Sequence, residues 1–99
     1  MEPRYAVPAG TLHWRRWDGE EEMAVFDAAS GSTHLLSAAA AEVLLALMDS
    51  PEPLDAPALA QLLLPGEDGA APLPADVHAL HTVLLDLAWL GLVRGQDTP

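Results

Sequence analysis

Hydrophobic and polar positions alternate in the first third of the chain and recur at helical spacing after it. Alternation with a period of two is typical of half-buried strands, and recurrence every three to four residues is typical of amphipathic helices. The pattern predicts three strands and then three helices, at residues 12–17, 23–27, 33–36, 38–48, 56–63 and 75–90. This order indicates one α+β domain on a small three-stranded antiparallel sheet, with an ordered core over about 12–93 and flexible ends at 1–10 and 95–99.

The first two strands are predicted to form a hairpin closed by Asp18-Gly19, a typical two-residue turn. This turn would place Trp14 opposite Met23 and Leu12 opposite Val25, so that four large apolar side chains share one face of the sheet.

The same pairing would set Arg16 opposite Glu21 and Arg15 opposite Glu22. Opposite charges on facing strand positions attract each other, so both arginines are expected to be neutralised locally. The acidic run 20–22 is then a solvated hairpin end that discourages edge aggregation.

The third strand, residues 33–36, has the most informative position in the predicted fold. Alternation puts His34 with Leu36 on one face and Thr33 with Leu35 on the other. We expect Leu36 to point into the core. The strand would have a free edge, and such an edge accepts the backbone of another chain as an added strand.

The helices carry clear end signals, and the last helix is unusually apolar. Ser37 and Asp55 are expected N-caps, and Gly91 is an expected C-cap. The last helix has more apolar surface than one core face requires, since Leu85 and Trp89 extend well beyond the main stripe. The surplus is predicted to lie against other elements, a second subunit in a homodimer, or a ligand.

Composition excludes several classes of function. The net charge is −11, with four arginines and no lysine, so neither nucleic acid nor an anionic membrane is an expected partner. The chain has no cysteine, which excludes disulfides and thiolate metal sites. No apolar run reaches membrane-spanning length and no signal peptide is evident, so the cytoplasm is the expected compartment.

The histidines offer the only candidate metal chemistry. His78 and His81 lie on one side of the last helix and could share an ion with His13 or His34. No carboxylate lies within one turn on that side, so no metal is expected. No nucleophile, base and orienting group stand in a catalytic pattern, so we expect neither an enzyme nor a cofactor.

Four segments, in this order, resemble the PqqD-like peptide chaperones. They are Trp-Asp-Gly-Glu at 17–20, Ser-Gly-Ser-Thr-His-Leu-Leu-Ser at 30–37, Ala-Ala-Glu-Val-Leu at 40–44 and Leu-Leu-Asp-Leu-Ala-Trp-Leu-Gly-Leu-Val at 84–93. The resemblance is strongest to the subgroup associated with HPr-kinase-related proteins, and it covers about residues 12–93. The family often has Pro after the capping Ser, where this chain has Ala38.

The resemblance implies a winged-helix-like fold, the RiPP recognition element, which is not catalytic. In that family the leader segment of a ribosomally made precursor peptide adds beside the third strand and packs against the third helix. A modifying enzyme, here expected in trans, or an HPr-kinase-related protein would be the second partner. Carried over to this chain, the peptide-binding residues would be Thr33, His34 and Leu35 on the strand and Val77, His81, Leu84, Leu85 and Ala88 on the helix.

Two other classes of function are compatible with this order of elements. A winged-helix transcription or assembly factor would read DNA with the last helix, but residues 75–90 contain no Arg, Lys, Asn or Gln to contact bases. A regulatory or scaffold subunit would instead dock on a kinase-like partner through the apolar helix and bind no peptide.

Overall fold

The computed structural model describes residues 3–8, 10 and 12–96. The elements are β1 Arg4–Ala6, β2 Leu12–Arg15, β3 Met23–Asp27, β4 Ser32–Leu36, α1 Ala38–Asp49, α2 Ala56–Leu63, a short 3-10 helix Glu67–Gly69, α3 Pro74–Trp89 and β5 Arg94–Gln96. Strands β2, β3 and β4 form an antiparallel sheet in that order, and three α-helices follow it. The predicted α+β fold is therefore confirmed.

The predicted helix starts are confirmed at the level of the capping bonds. The Ala40 N–H donates to the Ser37 hydroxyl at 3.3 Å, and the Ala58 N–H donates to the Asp55 carboxylate at 2.9 Å. Each bond satisfies a backbone donor that has no partner inside its own helix. Gly91, with φ of +81°, follows the end of α3 as expected of a C-terminal glycine.

The register of the first hairpin differs from the predicted one by two residues. Trp14 pairs with Val25, not with Met23, and Leu12 pairs with Asp27. A shift of two residues keeps every side chain on its predicted face, because side chains alternate with a period of two. Met23 and Val25 are accordingly fully buried, although Trp14 at the outer strand is 47% exposed.

The type of turn explains the shift. The Glu20 N–H donates to the Trp17 carbonyl at 3.0 Å, so the turn is where the sequence predicts it. Only Gly19 of its two central residues has positive φ, +81°, which is the type II pattern. A type II turn splays the flanking strands. The strands therefore end at Arg15 and begin at Met23, with an asymmetric loop between them.

The predicted cross-strand ion pairs are consequently wrong. Arg15 lies opposite Ala24, and its guanidinium stacks over the Trp17 ring at 5.4 Å. Arg16 reaches α1 instead, where Nη1 lies 3.3 Å from the Glu42 carboxylate.

The chain ends, expected to be flexible, contribute to the fold within the described residues. Strand β1 pairs with β5, Tyr5 lying opposite Gly95. Tyr5 also exchanges two backbone hydrogen bonds with Leu54, of 2.7 and 2.9 Å, and its side chain is buried. The segment before the main sheet thus closes one end of the core.

The core lies between the inner face of the sheet and the helices. Its largest fully buried side chains are Met23, Val25, Val43, Leu44, Leu59, Leu84, Leu87 and Leu92. Leu36 is buried beside them at 3%, as predicted. Among the described residues, no helix is both long enough and apolar enough to cross a membrane.

Candidate peptide-binding site

Strand β4 is an edge of the three-stranded sheet and enters it through a tightly bonded turn. The Asp27 carboxylate accepts hydrogen bonds from the Ala29 N–H and the Ser30 hydroxyl, each at 3.0 Å. The Gly31 N–H donates to the Asp27 carbonyl at 2.8 Å, and Gly31 adopts φ of +76°, which only glycine takes up without strain. The turn therefore holds β4 at a fixed register against β3.

This turn also settles which way the backbone groups of β4 point. The Asp27 carbonyl accepts from Gly31, so the polar groups of Asp27 face β4. In an antiparallel pair these groups alternate in direction, and Asp27 is paired with Ser32. His34 and Leu36 therefore bond to β3, and Ser32 faces β3 with its N–H donating to the Ser30 hydroxyl at 3.3 Å. The N–H and C=O groups of Thr33 and Leu35 point away from the sheet.

The side chains of β4 divide between the two faces as predicted. Thr33 and Leu35 are exposed on the outer face, Leu35 to 66%. His34 is half-buried on the inner face, opposite Val25. Of the three predicted strand residues, Thr33 and Leu35 thus offer backbone partners, and His34 offers an inner-face side chain.

The five predicted residues of α3 do not form one accessible surface. Leu84 is fully buried at 0%, so it supports the helix from beneath and cannot face a ligand. Val77, His81 and Ala88 are half-buried along the flank of the core stripe, and Leu85 is 49% exposed beyond them. Of the five helix residues that the resemblance implies, four are therefore at least partly accessible and one, Leu84, is not.

Helix α1 connects the strand edge to α3. It packs against both β4 and α3, while α3 packs mainly on α1 and α2. No hydrogen bond or ion pair between described residues joins β4 to α3. Val77 and His81 line a hollow of about 370 Å³ with Pro72, Pro74 and His78.

A second hollow lies at the outer face of the sheet and was not predicted from the sequence. It measures about 420 Å³ and is lined by Trp17, Asp18, Glu20, Glu22 and Leu35. Phe26 on the same face is 43% exposed and stacks against His13 with ring centroids 6.4 Å apart. The sequence does contain a signal for an apolar outer face. In β3, Ala24 and Phe26 alternate with the core residues, so their side chains point to the other face of the sheet.

The outer hollow is acidic as well as apolar. Among residues 3–8, 10 and 12–96, the one ion pair within 4.0 Å is that between Arg16 and Glu42. Asp18, Glu20 and Glu22 therefore have no cationic partner in that part of the chain. Their charges face solvent beside the exposed side chains of Trp17 and Leu35.

The histidines are not gathered into a metal site in the described part of the chain. No three side chains among its His, Asp and Glu residues stand close enough to hold an ion together. His78 and His81 share the hollow at the start of α3, but His13 stacks on Phe26 at the outer face of the sheet. The absence of bound metal stays a prediction.

Comparison of this chain with protein families, curated proteins and solved structures finds no match.

Proposed function

We propose that this chain is a non-catalytic module that binds the leader segment of a ribosomally made precursor peptide and presents it to a modifying enzyme. The peptide binds as a fourth strand beside β4. The observation that carries the proposal is the pair of outward-facing residues Thr33 and Leu35, whose two N–H and two C=O groups have no partner in the sheet. An extended peptide supplies the matching groups in the same geometry.

The surroundings of the edge favour β4 over the opposite edge, β2. Helix α1 begins directly after β4 and contacts it, so a strand added beside β4 has a helix nearby. A strand beside β2 would meet Trp14, which the helices leave 47% exposed. Apolar side chains of the peptide are therefore covered at β4 and remain in water at β2.

The expected affinity of the added peptide follows from the free energies of its hydrogen bonds and its buried side chains. Each of four backbone hydrogen bonds contributes about 1 kcal/mol net, and each apolar side chain that becomes fully buried adds roughly 1.5–3 kcal/mol. Ordering the peptide opposes these gains. The expected dissociation constant is roughly micromolar.

The direct test is a titration of isotope-labelled chain with synthetic peptides that tile the short open reading frames beside its gene. We expect the amide signals of residues 33–36 and of the α3 flank within 77–88 to shift. Shifts confined to α1 or to β2, with residues 33–36 unchanged, would contradict strand addition at β4.

A proline scan separates the backbone from the side chains. Leu35→Pro removes an outward N–H and no bond to β3, so the fold should persist while affinity falls at least about tenfold. Leu35→Ala keeps that N–H and should bind more tightly than Leu35→Pro. Trp14→Pro makes the equivalent change on β2 and should leave affinity unchanged, whereas His34→Pro breaks a bond to β3 and should destabilise the fold.

A second function, docking on a kinase-like partner, is favoured by one observation. Trp89 on α3 is 90% exposed, and Leu85 one turn before it is 49% exposed. Exposed aromatic side chains are common anchors at protein interfaces. Size-exclusion chromatography with an HPr-kinase-related protein encoded nearby should show a complex that Trp89→Ser abolishes. Loss of peptide binding in Trp89→Ser would instead assign this residue to the peptide site.

A further inference from the structure

We infer that the outer hollow, formed by Trp17, Asp18, Glu20, Glu22 and Leu35, binds a lysine or arginine side chain of the added peptide. This inference rests on the proposed strand addition and names the chemistry of the peptide. The acidic residues alone would be an ordinary solvated hairpin end. What distinguishes the place is an open hollow that reaches Leu35 of the edge strand and combines two apolar side chains with three acidic residues.

The strand geometry selects one peptide position. Leu35 turns its backbone outward, so one peptide residue pairs with it directly, and paired residues point their side chains to the same face. That peptide residue therefore extends over the outer face beside Leu35. Its two neighbours in sequence point to the inner face, beside His34 and Leu36.

The shape of the outer face leaves room for a long side chain. Ala24 lies between Arg15 and Leu35 in the same cross-strand row. The hollow itself has Trp17 from the hairpin loop and Leu35 from β4 as its two apolar walls. A lysine or arginine can lay its aliphatic stem along these apolar walls and extend its charged end to the rim.

The charges of the hollow are complementary to a cation. Three carboxylates line it, and none has an ionic partner within 4.0 Å among the described residues. The Arg15 guanidinium stacks on the Trp17 ring at 5.4 Å, so this ring accommodates a guanidinium. One arginine beside three carboxylates leaves the hollow negative, and an acidic peptide residue would be repelled there.

The test is an mRNA-display selection of random twelve-residue peptides on the immobilised chain. Binders of the wild-type chain should be enriched in lysine or arginine at one position flanked by apolar residues. A parallel selection on Glu20→Gln/Glu22→Gln should lose this enrichment. The matched control, Glu52→Gln/Glu67→Gln, removes the same charge from exposed positions outside the hollow and should keep it.

The affinity of one selected peptide then measures how much its cationic side chain contributes to binding. Replacing its cationic residue with norleucine keeps the aliphatic stem and should weaken binding about tenfold to the wild-type chain. The same replacement should change affinity by a smaller factor, about two- to threefold, on Glu20→Gln/Glu22→Gln, because Asp18 and the Trp17 ring remain there. Higher salt should weaken the cationic peptide more than the norleucine peptide, because salt screens exposed charges.

The outcomes distinguish the preference for a cationic side chain from strand addition beside β4. Peptides that bind, that lose affinity with Leu35→Pro, and that show no cationic preference would overturn the inference and leave strand addition intact. Peptides whose binding is indifferent to Leu35→Pro would overturn strand addition itself. Cationic enrichment that persists equally on Glu20→Gln/Glu22→Gln would assign it to overall charge attraction and also overturn the inference.

Discussion

Asp27 holds the β3–β4 turn, and with it the position of the proposed binding edge. Its side chain is buried, with 7% exposure, and accepts two hydrogen bonds, from the Ala29 N–H and the Ser30 hydroxyl. A buried charge is costly unless hydrogen bonds compensate it, and these two bonds do so. Asp27 also determines the register, because its carbonyl accepts from Gly31.

We therefore expect Asp27→Ala to destabilise the chain by about 1–3 kcal/mol, since it leaves the Ala29 N–H without its partner. Ser30→Ala removes two hydroxyl hydrogen bonds, to the Asp27 carboxylate and from the Ser32 N–H, but at an exposed position, and should cost about 1 kcal/mol. Urea unfolding followed by far-ultraviolet circular dichroism measures both. Equal stability of Asp27→Ala and the wild type would mean that the turn forms without this carboxylate.

At the scale of elements, the sequence predicts what local chemistry determines. Ser37 and Asp55 begin helices where they are predicted, because each supplies an acceptor to a free N–H three residues later. The register of the first hairpin is not determined locally in this way. Asp18-Gly19 suits several turn types, and the type that forms splays the strands, which moves the pairing by two residues.

The proposed binding surface is harder to predict than the core for a physical reason. Burial imposes a period on the sequence, so the inner face of β3 and the direction of Leu36 can be predicted from alternation alone. Exposed apolar residues such as Trp17 and Phe26 follow no such constraint. On α3 the resemblance assigns Leu84 to the peptide site, whereas the helical period puts it in one apolar stripe with Leu80 and Leu87. The structure follows the period, and Leu84 is buried.

Strand β1 is the element whose contribution was least expected. Its Tyr5 side chain is 4% exposed, and its backbone is bonded to Leu54. Tyr5→Ala should cost about 3–5 kcal/mol, as do other truncations of buried aromatic residues, and Tyr5→Leu should cost less. Arg4→Ala, an exposed change in the same strand, should cost under about 0.5 kcal/mol. Chemical denaturation gives these values, and a loss below about 0.5 kcal/mol for Tyr5→Ala would mean that β1 contributes nothing to stability.

At the scale of the whole molecule, the net charge of −11 opposes folding through repulsion between carboxylates. Acidic residues also dominate the hairpin at 20–22, where no described cation neutralises them. Salt screens such repulsion, with a Debye length of about 10 Å at 0.1 M. We expect the melting temperature to rise between 10 mM and 300 mM sodium chloride, as measured by calorimetry. Potassium chloride should give the same rise, and a fall in melting temperature would show that attractive pairs dominate.

The charge distribution also predicts that the chain does not bind duplex DNA, the activity that a winged-helix regulator would need. The exposed side of α3 carries His78, Thr82, Leu85, Asp86 and Trp89, none of which is a lysine or arginine that could contact phosphate. The four arginines are divided between two parts of the fold. Arg16 pairs with Glu42 and Arg15 stacks on Trp17, whereas Arg4 and Arg94 lie on β1 and β5, which pair in the other sheet.

Without a cluster of cations there is no counterion release, and without amide or guanidinium groups on α3 there is no base readout. Fluorescence anisotropy with labelled duplexes should therefore show no saturable binding below about 100 µM at physiological salt. A basic winged-helix domain measured in the same buffer serves as the positive control. Sub-micromolar, sequence-dependent binding would contradict this prediction, and it would make α3 a recognition helix.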